Sequence, residues 1–244
     1  MQKSMFEVVS NEKLTENVYK MVLKGDTSHI TAPGQFVNIA LEGLYLRRPI
    51  SVCDVQGDEL TIIYKAVGKG TRQMAEMTGG QLELLTGLGN GYDLTKAGDC
   101  PVLLGGGVGV PPMYLLAKEL IKMGKKVRVI LGFNTKSEVF YEEEFKGLGC
   151  AVTVTTVDGS YGVKGFVTDA LKEMDYSYFY TCGPEPMLKA VYKASVTSGQ
   201  MSFEKRMGCG FGACMGCSCK TITGYKRICK EGPVMEKEEI LWED

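Results

Sequence analysis

The sequence predicts an α+β protein of three units in a row: an antiparallel β-barrel over residues 1–96, a doubly wound α/β unit over 97–202 and a small cysteine module over 203–244. Three observations predict it. Short strand-like segments without intervening helices crowd the first third of the chain. Strands and helices then alternate from Cys100 onward. Four cysteines, Cys209, Cys214, Cys217 and Cys229, close the chain with the spacing C-x4-C-x2-C-x11-C.

In the first unit, Phe6–Ser10, Val18–Leu23, Gln35–Ala40, Ser51–Val55, Glu59–Lys65 and Gln81–Leu85 have strand-like content, punctuated by Gly and Asp. The exception is Thr71–Met77, a short helical stretch. Two segments stand out for chemistry. Leu46-Arg47-Arg48-Pro49-Ile50-Ser51 offers an Arg fork for a phosphate and a hydroxyl for a ring edge. Ile63-Tyr64-Lys65 leads to Gly68-Lys69-Gly70-Thr71, where a helix start is a second anion site. Without a ligand, Arg47 and Arg48 read as surface charges and Gly68–Gly70 as a turn.

The second unit opens with the apolar run Pro101–Leu104 and the loop Gly105-Gly106-Gly107-Val108-Gly109-Val110-Pro111-Pro112. Met113–Met123 follows as a helix, with Tyr114, Leu116, Ala117, Leu120 and Ile121 at helical spacing. Pro111 or Pro112 suits its first turn. Val127–Leu131 is a strand, Glu142–Leu148 a helix, Val152–Thr156 a strand, Thr168–Met174 a helix, Tyr178–Cys182 a strand and Pro186–Val196 a helix. Such alternation builds a parallel sheet.

A strand, a Gly loop and a helix form a phosphate-binding arrangement. The helix start supplies N–H groups, and glycines let a pyrophosphate come close. The G-x-G-x-x-G pattern is met at Gly105 and Gly107 but has Val110 in third place. A second loop, Cys182-Gly183-Pro184-Glu185-Pro186-Met187, belongs at the same sheet edge, where open α/β sheets bind ligands. Each loop alone reads equally as a tight turn; together they favour a nucleotide.

The cysteine spacing is that of a plant-type [2Fe–2S] site. The four-residue loop after Cys209 contains Gly210 and Gly212, which allow backbone to curl around a cluster. The short Cys214-x2-Cys217 step places two thiolates near one metal, and Cys229 closes the site. Zinc prefers two short C-x2–4-C hooks. A disulfide framework suits a small secreted chain, and Met1–Asn11 is mixed and polar, unlike a signal peptide. Cys219 is an extra thiol, read as a strand residue turned away from the site. Cys53, Cys100, Cys150 and Cys182 read as residues of a reducing cytosol.

Composition narrows the function classes. The formal net charge of −1 gives no basic field for nucleic acid, and no apolar stretch reaches the roughly 18 residues of a membrane span. The single histidine, His29, leaves little room for imidazole chemistry, so no catalytic side chain is assigned.

These motifs in this order resemble the ferredoxin–NADP reductase-like flavoproteins, in which an FAD-binding barrel precedes a nicotinamide-nucleotide domain. By that resemblance Arg48, Pro49, Ile50 and Ser51, with Ile63, Tyr64, Lys65, Gly70 and Thr71, bind FAD. Gly105, Gly106, Gly107 and Gly109 match a GGGxGxxP loop, and Cys182, Gly183 and Pro184 a C-G-P-x-x-M loop beside the nicotinamide. Gly87-Leu88-Gly89-Asn90-Gly91-Tyr92 resembles a loop at the domain junction. The cysteine module is similar to the electron-transfer subunits of class B dihydroorotate dehydrogenase, with Cys209, Cys214, Cys217 and Cys229 as ligands.

That resemblance implies a partner chain with FMN that oxidises dihydroorotate, two copies of each chain, and electrons passing through [2Fe–2S] and FAD to NAD+ in the cytoplasm. Met207, Phe211 and Met215 are then candidate apolar contacts on the docking face, or a shield over the cluster. The segment Gly132-Phe133-Asn134-Thr135-Lys136 has one Lys and no Arg, which leans to NAD over NADP. The alternative is a small FAD/[2Fe–2S] subunit of an NADH-dependent ferredoxin:NADP or sulfide oxidoreductase. Those relatives tend to carry Asp in place of Cys209, although the eleven-residue gap before Cys229 suits them too.

Overall fold

The computed structural model describes residues 1–242. Six antiparallel strands close a barrel: β1 (Gln2–Lys13), β2 (Val18–Lys24), β3 (Phe36–Ile39), β4 (Arg48–Gln56), β5 (Glu59–Lys65) and β6 (Gln81–Leu88), in the order β1-β2-β5-β4-β3-β6. The strands alternate because one face is buried. Phe6, Val8, Met21, Leu23, Val37, Ile39, Val52, Leu60, Ile62 and Leu84 fill the interior. One short helix, α1 (Lys69–Ala75), links β5 to β6 and plugs the barrel with Met74.

The barrel strands run longer than their apolar cores suggest. β4 begins at Arg48 instead of Ser51, so Arg48–Ser51 lies within a strand paired to β3. Pairing with β3 alone extends the ladder past the residues whose side chains advertise it.

The second unit is a twisted sheet with helices on both faces. Its elements are β7 (Val102–Gly106), α2 (Pro111–Lys122), β8 (Arg128–Phe133), α3 (Glu142–Gly147), β9 (Ala151–Thr156), β10 (Val163–Lys164), α4 (Val167–Leu171), β11 (Phe179–Cys182), α5 (Glu185–Ala194) and β12 (Gly199–Ser202). The last three strands are β13 (Ser218–Thr221), β14 (Gly224–Arg227) and β15 (Val234–Glu236). The sheet order is β10-β9-β8-β7-β11-β12-β15, parallel except for β15. Central strands β7 and β8 are nearly continuous apolar runs, as burial on both faces demands. Met113, Leu116 and Leu120 of α2 and Phe145 of α3 pack on one face. Val167 and Leu171 of α4 and Leu188 and Val191 of α5 pack on the other.

β13 and β14 form a hairpin of their own, but β15 leaves the cysteine module and joins the sheet beside β12. Residues 243 and 244 of the expected third unit lie outside the described residues.

The barrel and the sheet are tied together through α2. Leu115 of α2 enters the barrel core, and Lys118 meets Asp54 of β4 at 2.8 Å. Among the described residues no helix is long and apolar enough to cross a membrane.

Candidate functional site

The order of the parallel strands reverses between β7 and β11, and both glycine loops open there. They are packed against each other. A Cβ on Gly109 would lie 2.2 Å from the Cys182 carbonyl oxygen, and one on Gly106 would lie 2.3 Å from Met187 Sδ. A Cβ on Gly105 would strike Val110, and one on Gly183 would strike Met187. Gly107 alone among these faces open space, with a left-handed φ of 53°. Most of this glycine pattern therefore lets two loops of the chain interlock, while Gly107 has free space beside it.

The expected donation from the start of α2 is weaker than a glycine loop implies. Pro111 and Pro112 open the helix and have no N–H, and the Met113 N–H is taken by Val110. The prolines set the helix direction at the expense of two anion-binding donors.

Beside the second loop lies a cleft of about 320 Å³, lined by Gly183, Pro184, Glu185, Phe203, Lys205 and Arg206, among others. Lys205 pairs with Glu185 at 3.2 Å across it. The Cys182 thiol is pushed up to about 12 by burial, so it stays protonated at neutral pH. The sequence reading missed the 203–206 wall, because a mixed polar stretch carries no periodic signal.

On the barrel, Arg47 and Arg48 have different fates. Arg47 forms an ion pair with Glu83 and donates to the Asn38 carbonyl at 3.4 Å, so its charge is engaged. Arg48 donates to the Leu46 carbonyl and lies over Gly70, whose Cβ would come within 2.4 Å of its Nε. Gly70 is thus the cradle for the Arg48 guanidinium. Thr71 Oγ1 accepts from the Val67 and Gly68 N–H groups, both at 3.1 Å. Tyr64 is buried and donates to Asn11 Oδ1 at 2.9 Å, while Ile63 joins the core beneath α2. The end of β5 also touches the Gly107–Gly109 turn, bringing the barrel motifs to the nucleotide loops.

The four cysteines form two pairs. The Cys214 N–H lies 3.4 Å from Cys209 Sγ, and the Cys229 N–H lies 3.5 Å from Cys217 Sγ. The loop after Cys209 turns back through Gly210 and Gly212, with φ of 79° and 91°, and returns Cys214 to Cys209. Its amides then point at sulfur: Ala213 and Cys214 N–H groups lie 3.2 and 3.4 Å from Cys209 Sγ. Burial pushes the Cys209 thiol up, but these N–H donors, with that of Phe211, outweigh it and bring it down to about 6. Burial first, and then the Cys217 thiol, push Cys229 up to about 12.

Cys217 and Cys229 are buried, and Cys214 is exposed. Among the described residues no three His, Cys, Asp or Glu side chains converge on one metal position. Two thiol pairs with amides aimed at sulfur suit a binuclear cluster, in which each iron takes two cysteines. Cys219 stands on β13 with Sγ 3.9 Å from Met235 Sδ. Phe211 and Met215, next to the paired cysteines in the chain, are exposed, as are Ile222 and Tyr225 at the β13–β14 hairpin, while Met207 packs inward.

The junction loop holds the module in place. Asn90 Nδ2 donates to the Val234 carbonyl at 2.7 Å, and Asn90 Oδ1 accepts the Val234 N–H at 3.1 Å. One side-chain amide thereby imitates a neighbouring strand along β15.

Known proteins share these features. The family described as the iron-sulfur cluster binding domain of dihydroorotate dehydrogenase B matches residues 204–241, and the oxidoreductase NAD-binding domain matches 103–193. The chain is similar to the dihydroorotate dehydrogenase B (NAD(+)) electron transfer subunit of Fusobacterium nucleatum, 46% identical over 251 residues, covering 96% of each chain. The corresponding subunit from Bacillus pumilus is 43% identical, with 98% of each chain covered. Among solved structures, the NADH-dependent reduced ferredoxin-NADP oxidoreductase of flavin-based electron bifurcation matches with a TM-score of 0.89 and 30% identity, covering 97% of this chain and 90% of that one.

Proposed function

The chain belongs to the family of dihydroorotate dehydrogenase B electron transfer subunits, and from that premise we propose how its residues serve the role. It is an oxidoreductase subunit that works with FAD, a [2Fe–2S] cluster and NAD, beside a catalytic partner that oxidises dihydroorotate. A [2Fe–2S] cluster carries single electrons, NAD+ takes a hydride, and a flavin converts between the two.

Cys209 and Cys214 would hold one iron and Cys217 and Cys229 the other, supported by the N–H contacts that bring each two together. The Ala213 and Cys214 amides lower the cost of thiolate charge at Cys209. Arg48, Pro49, Ile50 and Ser51, with backbone of Ile63–Lys65, Gly70 and Thr71, would hold FAD on the barrel. Arg48 is the available cation there, because Arg47 is taken by Glu83. Gly105, Gly106, Gly107 and Gly109 with Cys182, Gly183 and Pro184 would form the nicotinamide-nucleotide side, entered over open Gly107. Lys136 is committed to the Tyr161 ring at 5.6 Å, which favours NAD over a 2′-phosphorylated cofactor.

The partner would carry FMN and dock on the exposed apolar rim of Phe211 and Met215, in an assembly of two copies of each chain. Thiolate ligands need a reducing compartment, which supports a cytoplasmic setting. The reading of a ferredoxin:NADP or sulfide oxidoreductase subunit has less support, since identity falls from 43–46% to 30% for the bifurcating enzyme.

The paired cysteines at the end of a complete barrel and nucleotide unit carry this reading. An anaerobic titration with dihydroorotate, in the presence of a class B catalytic subunit, tests it. Flavin and iron–sulfur absorbance should bleach, and added NAD+ should yield NADH. If the subunits associate and only NADH bleaches the bands, the dihydroorotate assignment falls.

A further inference from the structure

The outward face of β3 joins the flavin-binding segment to the cluster ligands. Val37 and Ile39 point into the barrel, so strand alternation turns Phe36 and Asn38 outward. Phe36 packs in the same apolar cluster as Cys217 and Cys229. Asn38 is 1% exposed, and its Nδ2 donates to the Cys209 carbonyl at 3.3 Å across 171 residues of chain. On the ladder it stands opposite Pro49, inside Arg48–Ser51.

The contact is close enough to constrain the sequence on the other side. A Cβ on Gly210 would lie 2.2 Å from Asn38 Nδ2. The far end of the amide, Oδ1, is buried without a partner. Leaving a buried acceptor unsatisfied is costly, and turning the amide over would set Oδ1 against the Cys209 carbonyl oxygen and leave the NH2 without that acceptor. An apolar residue would pack β3 against the module without that cost. What the amide adds is a donor to the ligand loop.

Resting on the FAD and cluster reading above, we propose that Asn38 is a positioning residue that fastens the Cys209 loop to the strand pair carrying the flavin segment. It fixes the spacing of the two redox sites. By donating to the Cys209 carbonyl it also favours the more negative, reduced state of the ligand set, as outer hydrogen bonds do at metal sites.

The test uses the full-length holoprotein with Asn38→Leu, which keeps the volume and removes the donor, and Asn38→Ala as a second variant. Flavin and iron contents, the electron paramagnetic resonance spectrum of the reduced cluster, and its midpoint potential are measured. Expected are wild-type contents, altered g values and a lower midpoint, by up to a tenfold change in the reduction equilibrium (about 59 mV for one electron). Fully loaded variants with the wild-type spectrum and midpoint would overturn the proposal. So would loss of iron from both variants with FAD retained, which would leave Asn38 a structural tie only. If the wild-type chain itself lacks FAD or iron, the functional reading fails before this one.

Discussion

Replacing Lys118 with Met should loosen the barrel from the nucleotide unit. Asp54 is buried on β4, with its side chain 8% exposed, and Lys118 of α2 donates to both its oxygens at 2.8 and 3.0 Å. Breaking a buried pair by removing one partner costs about 3–5 kcal/mol. Here the Val55 N–H and Gln56 Nε2 continue to donate to the carboxylate, at 2.9 and 3.0 Å, and Lys118 is itself partly exposed. The loss should therefore fall near the low end, at about 2–3 kcal/mol. For a chain of this size each kcal/mol moves Tm by about 2–4 °C, so Lys118→Met should melt ~4–12 °C lower. Differential scanning fluorimetry of the holoprotein measures it. The Asp54→Asn/Lys118→Met double variant should recover at least ~1 kcal/mol relative to the sum of the singles. Strict additivity, or a Lys118→Met shift below ~1 °C, would refute the reasoning.

Cys229→Ser should abolish the iron–sulfur absorbance while keeping flavin, whereas Cys219→Ser should leave both, as visible spectra and iron assays would report. Gly109→Ala should slow flavin reduction by NADH at least about tenfold, because its Cβ would lie 2.2 Å from the Cys182 carbonyl and must move the nucleotide loop; stopped-flow absorbance decides it. Alkaline pH should unfold the protein. Burial raises Tyr64 to about 12 and holds Tyr92, Tyr141, Tyr178 and Tyr180 above their ordinary value. The folded state then keeps protons that the unfolded state releases, so stability falls as pH rises above about 10. Tyrosinate absorbance near 295 nm should show these five ionising with the unfolding step; early titration of all twelve tyrosines would count against it.

The barrel strands and the helices of the nucleotide unit were legible because their signal is local. Glu59–Lys65 alternates over its own length, and Met113–Lys122 repeats its apolar residues at helical spacing. Short β12 and β15 were not legible, since Gly199–Ser202 and Val234–Glu236 become strands only by pairing with each other and with β11. The cysteine positions were plain, but their pairing was not. The left-handed turns at Gly210 and Gly212 carry the Cys214 N–H back to Cys209 Sγ, a fold-back that spacing alone does not disclose. Asn38 gave no sign at all, because its partner is remote in sequence. The prolines after Gly109 were visible, yet their lost N–H groups were outweighed by the look of the glycines.

The placement of β15 has a consequence for the modularity of the molecule. β12 and β15 are antiparallel neighbours, so the stretch from Phe203 to Pro233 leaves the sheet and returns to it with its ends one strand spacing apart, about 5 Å. In topological terms it is an oversized hairpin connection, and an ordinary tight turn would span the same gap. The iron-binding part can thus be grafted or excised at one point without redrawing the sheet. A chain in which a short turn replaces this excursion should remain a flavin reductase for NADH that has lost its outlet for single electrons.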